Sequence, residues 1–228
     1  MSQNLARVGG NCAVLLGASY ILVGITYLFL PAGQRVVGVG DPATYYTSFL
    51  QNPTPALFLY WETALGGLVG VGAVLAISDV VNGRGEGWVR WTSQLAVFGF
   101  AVQAIDSLRG VTLLPMRAHA YLAGDASTRA AIGATRLTLD YHGWFEYGAV
   151  GLWVLVVSLL ALRARSFPKT LAWGGVILTA AYWLVVAGFM TSTVPLLSVG
   201  TVVGGVVVAP VWYVWAGLRL RRGVGSAP

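Results

Sequence analysis

The chain is short of what a water-soluble enzyme carries on its surface. Only 10% of its 228 residues are charged, and it has one cysteine and two histidines. Soluble domains carry about 25% charged residues, so this chain cannot cover a surface that faces water on all sides. The lone Cys12 excludes a disulfide framework or a thiolate metal site within the chain. Inside an apolar run it reads as a small buried hydrophobe. His119 and His142 give no His-Glu-x-x-His helix and fall short of the ligands structural zinc needs. A bis-histidine haem would require His119, in a loop, to face His142. The reading is therefore no metal and no cofactor. The net charge of +6 does not point to nucleic acid either, because the arginines fall mostly between apolar blocks.

What the chain has in excess is apolar surface: 57% hydrophobic residues and a mean hydropathy of +0.73. A helical span needs about 20 apolar residues, so six spans use about 120 and leave roughly 100 for connections. That excludes a large extramembrane catalytic domain. Cutting the chain at its charges places spans at about 10–30, 55–77, 88–108, 144–162, 171–190 and 196–215. The last two come from dividing the uncharged stretch 170–218 at Thr191-Ser192-Thr193-Val194-Pro195, the one turn-like cluster there. The first uncharged run, Val8 to Gln34, is longer than a signal-peptide core and has no Ala-x-Ala site, so it reads as a retained span. Lipid satisfies no open backbone, which makes every span a helix. The expected fold class is all-α: a polytopic transmembrane six-helix bundle, a single domain over 1–228.

Nine of the 14 Lys and Arg residues fall on the side that holds the termini, and five on the other. The positive-inside rule then puts both termini in the cytoplasm, in a cell (inner) membrane. Trp88, Trp91, Trp173, Trp212 and Trp215 are expected at the inner boundary. Two connections on the outer side, 31–54 and 110–143, are long. Asp41-Pro42 and Asp125-Ala126-Ser127 are helix-start signals, which predict short interfacial helices over Ala43–Leu50 and Thr128–Leu139. Gly83-Arg84-Gly85-Glu86-Gly87 reads as an inner turn.

The ionisable residues inside the spans carry the functional reading. Glu62 lies about two turns into the second span, Asp106 and Arg109 close the third, and Glu146 opens the fourth. All four fall at one depth. A charge in hydrocarbon costs roughly 2.5–3.5 kcal/mol on insertion scales, so such groups face the bundle interior or water. The expectation is an outer-half polar pocket. Arg109 pairs there with Asp106 three residues away or with a glutamate. Glu62, Glu146, His142 and Trp61 complete a site that binds or transports a small molecule, a cation or a proton.

Two other readings compete. The same charges could knit helices in an accessory or oligomeric subunit of a membrane complex. An embedded enzyme acting on a lipophilic substrate would have acid–base groups but no nucleophile or metal. Serines and threonines in the spans more often bond back to the preceding turn. No pair of Gly- or Pro-broken helices marks a transport site. Gly66-x-x-x-Gly70 and Gly200-x-x-x-Gly204 fit close helix approach. The partners left open are the bilayer, a small ligand, a second copy or another membrane subunit.

One further pattern is specific. Arg165-Ser166-Phe167-Pro168-Lys169-Thr170-Leu171 precedes Gly174-Gly175, and the last span ends Pro210-Val211-Trp212-Tyr213-Val214-Trp215-Ala216-Gly217-Leu218-Arg219-Leu220. With its hydropathy profile, the chain resembles the uncharacterised six-span bacterial membrane proteins grouped under a domain of unknown function, whose last helix ends in a similar Pro-x-Trp-x-x-Trp-x-Gly-x-x-Leu. The resemblance implies six helices, termini inside and a cell-membrane location. It implies no catalytic residues.

Overall fold

A computed structural model describes residues 3–35, 41–81, 86–164 and 166–222. The chain is 89% helical with no strands among the described residues. Six helical stretches are long and apolar enough to cross a membrane: Asn4–Phe29, Thr54–Val81, Gly87–Ala123, Trp144–Ala164, Lys169–Thr191 and Val194–Arg222. The elements are α1 (Gln3–Phe29), α2 (Pro42–Gln51), α3 (Thr54–Val81), α4 (Glu86–Ala123), α5 (Ala126–Ala134), α6 (Val150–Ala164), α7 (Lys169–Thr191), α8 (Val194–Gly200) and α9 (Ala209–Arg222). Two wider, π-helical segments are built into the spans. Trp144–Ala149 leads into α6, and Thr201–Val208 joins α8 to α9.

The spans pack in chain order, α1 on α3, α3 on α4, α4 on α6 and α6 on α7, and the sixth span closes a ring against both α7 and α1. Small residues allow the close approaches. A side chain at Gly66 would meet Ser19 Oγ at 2.7 Å, and one at Gly72 would meet Cys12 Sγ at 2.6 Å. A side chain at Gly200 would meet the Ala181 carbonyl oxygen at 2.8 Å and one at Gly204 the Ala181 Cβ at 3.0 Å, so this glycine pair packs the sixth span on α7. The turn between the fifth and sixth spans falls at the polar cluster. Ser192 sits there in the left-handed region with φ 52°, and its N–H caps α7.

The third span departs from expectation. It was placed at 88–108, with a loop from 110. In fact α4 continues to Ala123 and carries Pro115 inside it. At 1.5 Å per residue, its 38 residues reach about 57 Å, well beyond a hydrocarbon layer of about 30 Å. Leu114 and Ala118, one turn apart, pack with Tyr46 and Phe49 of α2, and Tyr121 adds to the same cluster. That packing carries the helix on after its charges.

The capping signals hold. Asp41 accepts from Ala43 and Thr44 N–H groups, with Pro42 at the first helical position. Asp125 accepts from Thr128 N–H. The α5 helix is shorter than expected, however, and leaves Arg136 beyond it, with its guanidinium 4.0 Å from the Tyr141 ring centre. Trp212 is 3% exposed and donates to the Leu171 carbonyl in the first turn of α7, so at that end of the bundle its indole faces the core and not lipid. Residues 83–85 of the inner turn lie outside the described residues, and Glu86 and Gly87 already belong to α4.

Candidate functional site

Three of the four ionisable residues come together: Asp106 lies 4.0 Å from Arg109 and faces the carboxyl of Glu146. Glu62 stands apart. Successive helical residues point about 100° apart, and α3 shows the consequence. Thr63 faces α4: its hydroxyl accepts from Ser107 Oγ at 3.0 Å, and its carbonyl accepts from Gln103 at 3.1 Å. Its neighbour Glu62 therefore turns away from Asp106, towards α1. Glu62 is 6% exposed. Among the described residues, the Thr26 hydroxyl of α1 is the one side-chain group that bears on its carboxyl, whose oxygens make no other hydrogen bond.

Glu62 lines a cleft of about 320 Å³ between α1 and α3, together with Leu15, Ala18, Ser19, Leu22, Leu65 and Val69. Leu15, Leu22 and Leu65 are exposed on the outside of the bundle, so the cleft opens sideways to lipid. The Ser19 hydroxyl is already committed, donating to the Glu62 backbone carbonyl at 3.0 Å. What remains is an apolar slot with one carboxyl at its base.

Asp106 and Arg109 serve another purpose. Their side chains approach to 4.0 Å, as the spacing predicts. The Asp106 carboxyl accepts from Leu139 N–H at 2.8 Å and Asp140 N–H at 3.1 Å, while Arg109 Nε donates to the Leu137 carbonyl at 3.2 Å. Asp140 then accepts from the N–H groups of Trp144, Phe145 and Glu146 at 2.9, 2.6 and 2.9 Å, capping the fourth span. Arg117 donates to the carbonyls of Ile132 and Thr135, and Arg129 to those of Tyr121 and Leu122. Charge-assisted bonds of this kind are about twice as strong as neutral ones. Together they fasten segment 124–143 across the end of the bundle.

Of the other three candidates, one joins this group and two lie on the surface. Glu146, in the π-helical turn, faces the carboxyls of Asp106 and Asp140. His142 is exposed and meets Tyr141 edge-on at 4.9 Å. Trp61 is 48% exposed and lies outside the cleft. Among the described residues, no three His, Cys, Asp or Glu side chains form a group that could hold a metal ion.

A second polar feature, at the centre of the ring, left no pattern along the chain. Tyr20 of α1 stacks on Tyr213 of α9 at 5.9 Å, and Tyr147 meets Tyr182 of α7 at 5.6 Å. These tyrosines come from the first span and from the last three. The one available signal is that tyrosine is amphipathic and needs a partner for its hydroxyl when buried.

The ring of six apolar helices and the intramembrane carboxyl at its α1–α3 seam define a multi-pass helical membrane protein. The family model of a domain of unknown function, DUF4386, matches residues 15–220, and the chain belongs to that family. No curated protein and no solved structure matches it.

Proposed function

We propose that this protein binds a small lipophilic cation, such as a protonated amine with an apolar body, in the α1–α3 cleft. The observation that carries the reading is Glu62: a carboxyl 6% exposed, with no cation beside it among the described residues and only the Thr26 hydroxyl bearing on it, in an apolar slot. An unpaired buried acid in a bilayer is costly and marks a site. The slot falls in the size range of small-molecule sites. Its apolar lining suits a hydrocarbon body, and Glu62 supplies the one complementary charge. A bare metal ion fits less well, since hard cations take six or more oxygen ligands and Ser19 is already engaged.

The Lys and Arg distribution supports cytoplasmic termini in a cell membrane. In that orientation Glu62 lies in the outer half of the bilayer, and the ligand enters from lipid.

Thermal unfolding of the purified protein with octylamine, and with octanol as a neutral control, tests the reading. Octylamine should raise the melting temperature and octanol should not. Glu62→Gln, which keeps the shape and removes the charge, should weaken binding by about 10- to 100-fold, since hydrogen bonds to charged groups are worth about 1.5–3 kcal/mol. Equal stabilisation by octanol, or an unchanged Glu62→Gln variant, contradicts the reading.

A further inference from the structure

At the end of the bundle where α1 begins and α9 ends, two arginines are brought side by side. The helices run antiparallel and touch through glycines. A side chain at Gly217 would meet the Gly10 carbonyl oxygen at 2.6 Å, and one at Gly10 would meet the Gly217 carbonyl oxygen and Arg221 Cγ, both at 2.9 Å. Arg7 lies three residues before Gly10 and Arg221 four after Gly217, each about one turn away, so both reach the same level. Both are exposed, and among the described residues neither makes an ion pair. Asp79, half-buried near the end of α3, pairs with neither, and Glu86 belongs to α4, which packs on α3 and α6.

Below these charges the seam is apolar and reaches lipid. Val14 lies against Gly217, and Val214 against Gly17. Arg7, Val14 and Ile21 recur every seven residues and Val214, Leu218 and Arg221 every three or four, so each set lines one stripe of its helix. Ile21 and Leu218 are exposed and the two valines half-buried. From Arg7 to Ile21 the stripe runs about 21 Å, enough for an acyl chain in one half of a hydrocarbon layer about 30 Å thick.

We propose that the α1–α9 seam binds one anionic phospholipid, with its phosphate between Arg7 and Arg221 and an acyl chain along Val14, Ile21, Val214 and Leu218. Two guanidinium groups at one level repel each other unless an anion lies between them, and their planar donors match phosphate oxygens. A soluble phosphate gains the arginines and loses the apolar seam. The Lys and Arg distribution supports the cytoplasmic leaflet for this end, and that leaflet carries the anionic lipids. The site is separate from the Glu62 cleft, which lies where α1 meets α3.

Native mass spectrometry of the full chain, with dioleoyl phosphatidylglycerol or dioleoyl phosphatidylcholine added in detergent, tests the proposal. Phosphatidylglycerol should be retained as a single adduct at concentrations where phosphatidylcholine is not, and excess glycerol phosphate should not displace it. Replacing both arginines, Arg7→Gln with Arg221→Gln, should weaken retention roughly 10- to 30-fold. Arg163→Gln, an exposed arginine in the last turn of α6, should bind as wild type. Equal retention of the two lipids by the wild-type chain overturns the proposal without recourse to any variant. So do displacement by glycerol phosphate, undiminished binding in the double variant, or an equal loss in Arg163→Gln.

Discussion

Asp106 and Glu62 are both carboxyls buried in a membrane helix, and they illustrate opposite fates. Asp106 receives backbone N–H groups from a returning loop, so its charge is consumed in holding structure. Asp106→Ala should cost about 2–4 kcal/mol, in line with several charge-assisted bonds, and should loosen segment 135–143 without touching octylamine binding. Hydrogen exchange at the Leu139 and Asp140 amides, alongside the thermal assay, checks both halves.

Asp125 offers a pH test at the same scale. Its cap on α5, completed by Thr128 and Ser127, draws its carboxyl down to about 2. A depressed acid stabilises its partner above the ordinary aspartate value near 3.9, and that contribution disappears as pH falls through the folded value. Amide protection at Thr128 should hold above about pH 4 and be lost as pH approaches 2. Asp125→Ala should lack it throughout.

At the scale of elements, glycines and wide turns set how closely the helices sit. An added methyl at Gly200 would meet the Ala181 carbonyl oxygen at 2.8 Å and the Val185 nitrogen at 2.9 Å. Both are backbone atoms that cannot step aside. Gly200→Ala should therefore destabilise by about 1–3 kcal/mol, the usual cost of overpacking. Gly205 has open space around it, so Gly205→Ala should be close to neutral. Thermal unfolding of the two variants side by side checks the contrast. The elements also show why α4 was misread. Asp106 and Arg109 look like a membrane boundary when read as charges along a line. In three dimensions, loop 135–143 satisfies them, and the helix runs on under α2. The repeat at Leu114, Ala118 and Tyr121 was visible evidence for that continuation. The π-helical turns left no comparable trace, because Trp144–Ala149 and Thr201–Val208 have the composition of ordinary membrane helix.

For the whole molecule, hydropathy made six spans and their order legible, since apolar length is a direct requirement of the bilayer. The spans' charges were legible as exceptional, and Asp106, Arg109 and Glu146 do gather, but the separation of Glu62 from them was not legible. A residue's depth follows from counting along the helix, whereas its direction depends on which neighbour the helix packs against. Glu62 and Thr63 are adjacent in sequence and face different helices, so Glu62 lines a separate cleft while the other three charges gather around segment 135–143. The tyrosine cluster was beyond sequence reasoning for the same reason, being assembled only when the ring closes through α1 and α9.

The central claim is that, among the buried acids of the described residues, Glu62 is the one reachable from lipid. A hydrophobic carbodiimide adds to protonated carboxyls that it can reach through the bilayer. With protein in vesicles at mildly acid pH, peptide mass mapping should place the adduct on Glu62, with the tertiary amine N,N-dimethyloctylamine, which cannot form an amide with the activated carboxyl, protecting it. Labelling of Asp106 or Glu146 with Glu62 unmodified would contradict the account.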